Sequence, residues 1–287
     1  MRIIVFGVAG MIGNAMLKVM SKCDGMDVWG TVRSPGVLKK FKPALRDHII
    51  IGGDVENTEW IVRTLTELRP QVAINCIGLV KQLQGANDPL LVLPINAMWP
   101  HRLARACESI KCRLVQLSTD CVFSGRKGGY KEADEPDPID LYGRSKLLGE
   151  VNYAHTLTLR TSIIGEELEG SHGLVSWFLG QREKVKGFTR AFFSGLPSFE
   201  MAEIVRDFVL PRPDLSGLYH VASDRISKYD LLHLLNVEYN RGLHIEPDDT
   251  LKIDRSLDPS LFREMTGYVA PTWSELVPKM RKFHCGK

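Results

Sequence analysis

The stretch Arg2-Ile3-Ile4-Val5-Phe6-Gly7-Val8-Ala9-Gly10-Met11-Ile12-Gly13 passes directly from an apolar run into three spaced glycines. Residues 3–6 are continuously apolar, as expected of a parallel strand covered on both faces. Beyond the glycines, Ile12, Met16, Val19 and Met20 recur on one face of a helix. Strand, glycine turn and helix in that order form the context of a dinucleotide site. The first glycine permits the tight turn, the second lets backbone approach a pyrophosphate, and the third lets helix and strand pack closely. Phosphates then rest on unpaired N–H groups at the helix start. Gly7, Gly10, Met11, Ile12 and Gly13 are therefore the first cofactor-binding candidates.

Outward from this unit the same alternation continues. Residues 28–32, 49–51, 72–76, 114–117 and 157–164 read as further strands. Between them, Thr58 can cap a helix with Ile61, Leu65 and Leu68 on its inner face, ending before Pro70. Residues 96–110 read as a helix that Pro100 bends or that holds Pro100 in its first turns. Residues 81–94 lack periodicity and read as a loop beside the substrate. Alternating strands and helices predict an α/β fold with a doubly wound parallel (Rossmann) sheet over residues 1–164. After Gly165 the pattern changes to helical segments near 174–179 and 202–209, mixed with short strands such as 217–221. Ser227-Lys228-Tyr229-Asp230 opens another helix, and Thr272-Trp273-Ser274-Glu275 is a capping box for the last one. Residues 165–287 thus read as a smaller mixed α/β substrate lobe, with parts of 188–222 rejoining the sheet domain.

Composition narrows the function. A net charge of +3 over 287 residues, without a basic run, argues against nucleic acid or an anionic membrane as partner. Six cysteines without a C-x-x-C pair fit reduced thiols better than a disulfide frame or zinc site. The apolar run at residues 3–6 is too short for a signal peptide, and no later stretch approaches a membrane span. A cytoplasmic protein is expected.

Three further places carry chemistry. An NAD-preferring site usually ends its second strand with an acid about 20 residues past the glycines. Here Arg33-Ser34 occupies that place, and a guanidinium suits a 2′-phosphate, so NADP(H) is the expected cofactor. Asp54 and Val55, after Gly52-Gly53, would face the adenine. Cys76, Ile77 and Gly78 lie where the fourth strand opens toward the cofactor, and Asn96 and Arg160 complete the cofactor candidates. Ser118 and Thr119 put hydroxyls at the carboxyl end of the fifth strand, in the crevice where open α/β sheets bind ligands. On a helix, Tyr142 and Lys146 of Tyr142-Gly143-Arg144-Ser145-Lys146 stand one turn apart. An ammonium held close to a phenol lowers its pKa from about 10 and readies it for proton transfer.

With these residues together, the chain resembles the extended short-chain dehydrogenase/reductase superfamily, and within it the dTDP-4-dehydrorhamnose reductase family. Gly7-x-x-Gly10-x-x-Gly13, Ser118-Thr119-Asp120-x-Val122-Phe123 and Tyr142-Gly143-x-x-Lys146 carry the likeness. Leu159-Arg160-Thr161-Ser162, Gly217-x-Tyr219-His220 and Arg255-Ser256-Leu257-Asp258 extend it into the second lobe. The resemblance implies an NADPH-dependent reductase of the C4 ketone of a UDP- or dTDP-linked 4-keto-6-deoxysugar, serving cell-surface polysaccharide biosynthesis. It implies Thr119, Tyr142 and Lys146 as catalytic residues, with Ser118, Tyr142 and Lys146 also against the cofactor. Lys81, Gln82, Cys121 and Arg255 are the substrate-binding candidates, the substrate being a small nucleotide sugar. Cys121 stands where related dehydratases need a Glu, which argues against dehydration. Ala15 stands where some relatives hold a metal with an acid, so no metal is expected. A sugar-nucleotide epimerase and a non-catalytic NADP-binding regulatory subunit are the competing readings. Oligomeric state is left open, a homodimer included.

Overall fold

Seven strands make one fully parallel sheet. They are β1 (Arg2–Phe6), β2 (Asp27–Val32), β3 (Ile49–Ile51), β4 (Val72–Asn75), β5 (Arg113–Thr119), β6 (Thr156–Thr161) and β7 (Gly217–His220). Their order across the sheet is β7-β6-β5-β4-β1-β2-β3. The computed structural model describes residues 1–81, 85–168, 170 and 173–286.

Alternation along β1 sorts the two faces, because successive side chains of a strand point to opposite sides. Ile3 and Val5 join a core with Met16 and Met20 of α1 (Met11–Met20). Ile4 and Phe6 face the other way, against Trp60, Ile61 and Leu65 of α2 (Thr58–Leu68) and Trp99 and Leu103 of α3 (Trp99–Ser109). Both faces are covered, which is why the strands read as apolar runs. The crossovers leave the carboxyl ends of the central strands open, at the point where the order reverses between β1 and β4.

The elements differ from the sequence reading in three places. Asn57, not Thr58, caps α2, its Oδ1 accepting from Trp60 N at 3.0 Å. Residues 81–94 are not all loop. Pro89–Leu93 is helical, Asp88 caps it, and Pro94–Met98 forms a π-turn leading into α3. Prolines at first-turn positions start these helices rather than break them. The sixth strand stops at Thr161, and Ile163–Ile164 pairs instead with Leu196–Pro197 in a separate ladder. Gly217–His220, within the 188–222 stretch read as rejoining the sheet domain, forms the edge of the main sheet beside β6.

α4 (Leu141–Leu148) follows β5 through the loop at 124–140. Between β6 and β7 the chain leaves the sheet and returns through α5 (Ser198–Ile204), whose Met201 and Ile204 share the core with α1. α6 (Lys228–Glu238) begins at Ser227, whose Oγ accepts from Asp230 N at 3.0 Å. The capping box at Thr272 and Glu275 starts α7 (Trp273–Cys285) with both of its hydrogen bonds made. Among the described residues, no helix is long and apolar enough to cross a membrane.

Candidate active site

The turn between β1 and α1 has the backbone of an anion cradle. Gly7 adopts φ +87°, and a Cβ on Gly13 would lie 2.2 Å from the Gly7 carbonyl oxygen. Only glycine permits that approach, which sets the start of α1 against the end of β1. No side chain caps α1, so the N–H groups of Met11 and Ile12 stay open to a ligand. These features fit the pyrophosphate of a dinucleotide. Arg33 follows β2, exposed, with no partner for its guanidinium among the described residues. Asp54 turns the loop after β3, its Oδ1 accepting from Glu56 N at 2.9 Å. Val55 packs on the Ile4–Phe6 face of the sheet.

The segment after β4 is held from below. Asn75 Oδ1 accepts from Ile77 N at 3.1 Å and from Trp99 Nε1 at 2.9 Å. Asn96 Oδ1 accepts from Leu79 N at 2.8 Å, while its Nδ2 donates to Leu79 O at 3.0 Å and Ser145 Oγ at 3.1 Å. Asn96 therefore clamps the Gly78–Leu79 backbone to α4, with its amide satisfied inside the protein. Burial pushes the Cys76 thiol up to about 12, a neutral wall and not a reactive thiol.

Tyr142, Thr119 and Lys146 come together at the carboxyl ends of β4 and β5. Asp140 caps α4, accepting from Gly143 N at 2.7 Å. A Cβ on Gly143 would lie 2.2 Å from the Cys121 carbonyl, so a glycine lets α4 press against the chain leaving β5. That contact sets the Tyr142 phenol near enough to the Thr119 side chain for Thr119 to favour its ionised form. Thr119 Oγ1 also accepts from Cys121 N at 3.1 Å, which fixes its rotamer. Burial, then the neighbouring Cys121, pushes the Tyr142 phenol well above its usual value, against the opposing influence of Thr119. The expectation that Lys146 lowers this phenol's pKa is not met here. Lys146 Nζ donates to Leu117 O at 2.8 Å, and the charge that favours its ammonium is that of Glu150. Burial lowers the Lys146 ammonium to about 8. A Cβ on Gly78 would stand 3.9 Å from its Nζ, which puts the ammonium beside the clamped backbone after β4.

Ser118 and Arg160 are occupied elsewhere. Ser118 Oγ donates to Glu150 Oε1 at 2.6 Å, and Arg160 grips the same carboxylate through Nε at 2.8 Å and Nη2 at 2.7 Å. Arg160 Nη1 donates to His220 Nε2 at 3.3 Å, and His220 Nδ1 bonds Tyr130 O at 2.9 Å. Burial, then Arg160, lowers His220 to about 4, so the ring is neutral with its proton on Nδ1. Glu150 ties β5 and β6 together and lies close enough to Lys146 to favour its charge. Nothing in the sequence singled it out, because its partners lie in separate strands.

Beyond the end of β5, Cys121 is buried, its thiol pushed up to about 11 by burial and by Asp120. Arg255 Nε donates to Phe123 O at 2.8 Å, and its Nη1 lies 3.8 Å from Cys121 Sγ. The rest of Arg255-Ser256-Leu257-Asp258 is a clasp on the loop at 124–140. Tyr130 N donates to Ser256 O at 2.9 Å, Asp258 N to Tyr130 O at 2.7 Å, and Gly129 N to Ser256 Oγ at 2.9 Å. Lys81 is exposed, and its charge reaches Cys121. Gln82 lies outside the described residues. Two groups that the sequence reading passed over, Asp120 and Lys228, stand in this same cluster.

Known proteins share this arrangement of sheet and crevice. The chain is 29% identical over 231 residues to a probable low-salt glycan biosynthesis reductase of Haloferax volcanii, covering 76% of this chain and 73% of that protein. It is 26% identical over 256 residues to dTDP-4-dehydrorhamnose reductase of Escherichia coli, covering 84% and 79%. A dTDP-4-dehydrorhamnose reductase from Bacillus anthracis, solved in complex with NADP, shares the fold with a TM-score of 0.80. That structure is 23% identical and covers 98% of this chain and 97% of its own. The model of the family described as RmlD substrate binding domain matches residues 1–250, from the glycine cradle through β7 and α6. The chain belongs to the RmlD substrate binding domain family.

Proposed function

We propose that the protein is an NADPH-dependent oxidoreductase that reduces the C4 ketone of a UDP- or dTDP-linked 4-keto-6-deoxysugar. The observation that carries this reading is the Tyr142–Thr119 hydroxyl pair at the open end of a sheet that begins with the glycine cradle. The curated relatives of this family, reductases of sugar and glycan biosynthesis by name, support it. Bound NADPH would supply the hydride, and the chain's residues would supply position and a proton. Residues 1–164, with the edge strand β7, would hold the cofactor, and residues 165–287 would form most of the substrate lobe. The N–H groups of Met11 and Ile12 would hold the pyrophosphate and Arg33 a 2′-phosphate. Lys146 and the Gly78 backbone would face the nicotinamide ribose.

In this scheme Tyr142 is the acid. A phenol held above its ordinary pKa stays protonated at neutral pH, as an acid must before it acts. The alkoxide growing on the substrate is a far stronger base, so the proton still transfers. Thr119 steadies the same oxygen through its hydroxyl. The test is to mix pure protein, NADPH and each ketosugar series and follow loss of the reduced nicotinamide signal. Cofactor oxidation with one of the two series is expected, and none with either would sink the reading. Tyr142→Phe should bind NADPH normally and turn over about a hundredfold or more slower. Near wild-type turnover in that variant would remove Tyr142 from the chemistry.

A further inference from the structure

Beside Tyr142 the crevice holds a group of charges that the reduction itself does not use. Lys81 comes from the segment after β4, Asp120 and Cys121 from the end of β5, Lys228 from the first position of α6, and Arg255 from the clasp. They act on one another. Asp120 is under the influence of both Arg255 and Lys228, Lys228 of both Asp120 and Lys81, and Cys121 of Asp120, Lys81 and Arg255. The backbone brings two of them together: Ser227 and Asp254 flank Phe192 in one small ladder, so Lys228 and Arg255 follow from neighbouring strand ends, and Arg255 Nη1 reaches Cys121 Sγ at 3.8 Å.

Lys228 is the unexplained member. Its ammonium lies 5.0 Å over the Phe193 ring and has no hydrogen-bond acceptor among the described residues. Burial lowers its pKa, so the chain keeps an ammonium where water solvates it poorly. Asp120 is a weak counterweight, because burial raises its own pKa and its Oδ1 already accepts from Thr119 at 3.2 Å. Three cations against one carboxylate leave an excess of two positive charges in the group. A diphosphate bridging a nucleoside and a sugar carries one negative charge on each phosphate.

We propose that Lys228 is a substrate-binding residue which, with Lys81 and Arg255, receives the diphosphate of the nucleotide sugar. This rests on the ketoreductase reading for the sugar, while the charge recognition is testable without it. A carboxylate on the sugar ring would present the same anionic oxygens, so the two sources are tested side by side. The affinities of UDP, dTDP, inorganic pyrophosphate and glucuronate are measured on the full chain loaded with NADP⁺, by calorimetry. Lys228→Met and Lys228→Arg are compared with wild type, with NADPH affinity and thermal midpoint read on each.

Wild type is expected to bind at least one nucleoside diphosphate, with pyrophosphate competing. Lys228→Met should weaken that binding about tenfold or more and Lys228→Arg recover part of it, with NADPH affinity unchanged. Equal nucleoside-diphosphate affinity in wild type and Lys228→Met overturns the proposal, as does no such binding in wild type. A Lys228-dependent affinity for glucuronate but not for the diphosphates also overturns it. If Lys228→Met does not fold, Lys228→Arg and pyrophosphate competition in wild type decide, and failure of pyrophosphate to compete counts against it. Lys228-dependent diphosphate binding without any ketone reduction would keep this inference and remove the ketoreductase reading.

Discussion

At the scale of single residues, His220 carries the clearest consequence for pH. It is fully buried, accepts from Arg160 and bonds the Tyr130 carbonyl, so it folds neutral. Its folded value is about 4, while an unfolded histidine titrates near 6.5. Its share of stability is therefore complete above about pH 6.5. As pH falls toward 4 the unfolded chain takes up a proton that the native ring refuses, and that share is lost, on the order of 3 kcal/mol. His220→Asn keeps a donor and an acceptor but cannot titrate. The unfolding free-energy gap between wild type and this variant, from urea melts, should shrink between pH 7 and pH 4.5. A gap that stays constant would mean that the imidazole is not held neutral. Spacing alone made Tyr142 and Lys146 legible, because one helical turn is a local fact. The direction of the Tyr142 shift was not legible, since burial and Cys121 set it and Lys146 turns to Leu117. The roles of Glu150, His220 and Lys228 were hidden for the same reason, each depending on partners in distant segments.

At the scale of elements, α4 is positioned by contact and not by its own helical tendency. Gly143 sits against the Cys121 carbonyl, and Asp140 fixes the first turn. Gly143→Ala should force α4 outward and separate the Tyr142 phenol from Thr119. Overpacking of this kind costs about 1–3 kcal/mol, read as a lower thermal midpoint. Ketone turnover should fall at least about tenfold, while NADPH affinity changes little because the cradle is built on α1. Unchanged turnover would show that the helix is free to shift without loss. Strand positions in the sequence were legible where both faces of a strand are buried, as at Ile3 to Phe6. The helical turns around Pro89 and Pro94 were misread because proline stops a helix in its middle but starts one at its end, while Pro100 lies in the first turn of α3, one of its two expected places. The π-turn between them has no periodic signature of its own.

At the scale of the whole molecule, the two lobes share one interior. A single buried cluster runs from Ile3 and Val5 of β1 through Met201 and Ile204 of α5 to Leu231, Leu276 and Met280 of α6 and α7. The clasp from Ser256 and Asp258 onto Tyr130 adds a second seam. Calorimetry should therefore show one cooperative transition, raised as a unit by NADPH. Two separated transitions would mean that the substrate lobe unfolds by itself. The alternation that announced the sheet domain stops at Gly165, yet the sheet does not, because β7 joins it after the long excursion through α5. That return has a consequence in time. A ribosome adds about 5–20 residues per second, so β6 waits roughly 3 to 10 s for the strand that covers its flank. During synthesis the backbone of Thr156–Thr161 is an unpaired edge, the kind that recruits strands from other chains. Until Gly217–His220 leaves the exit tunnel, that flank of β6 has no strand of its own chain to cover it.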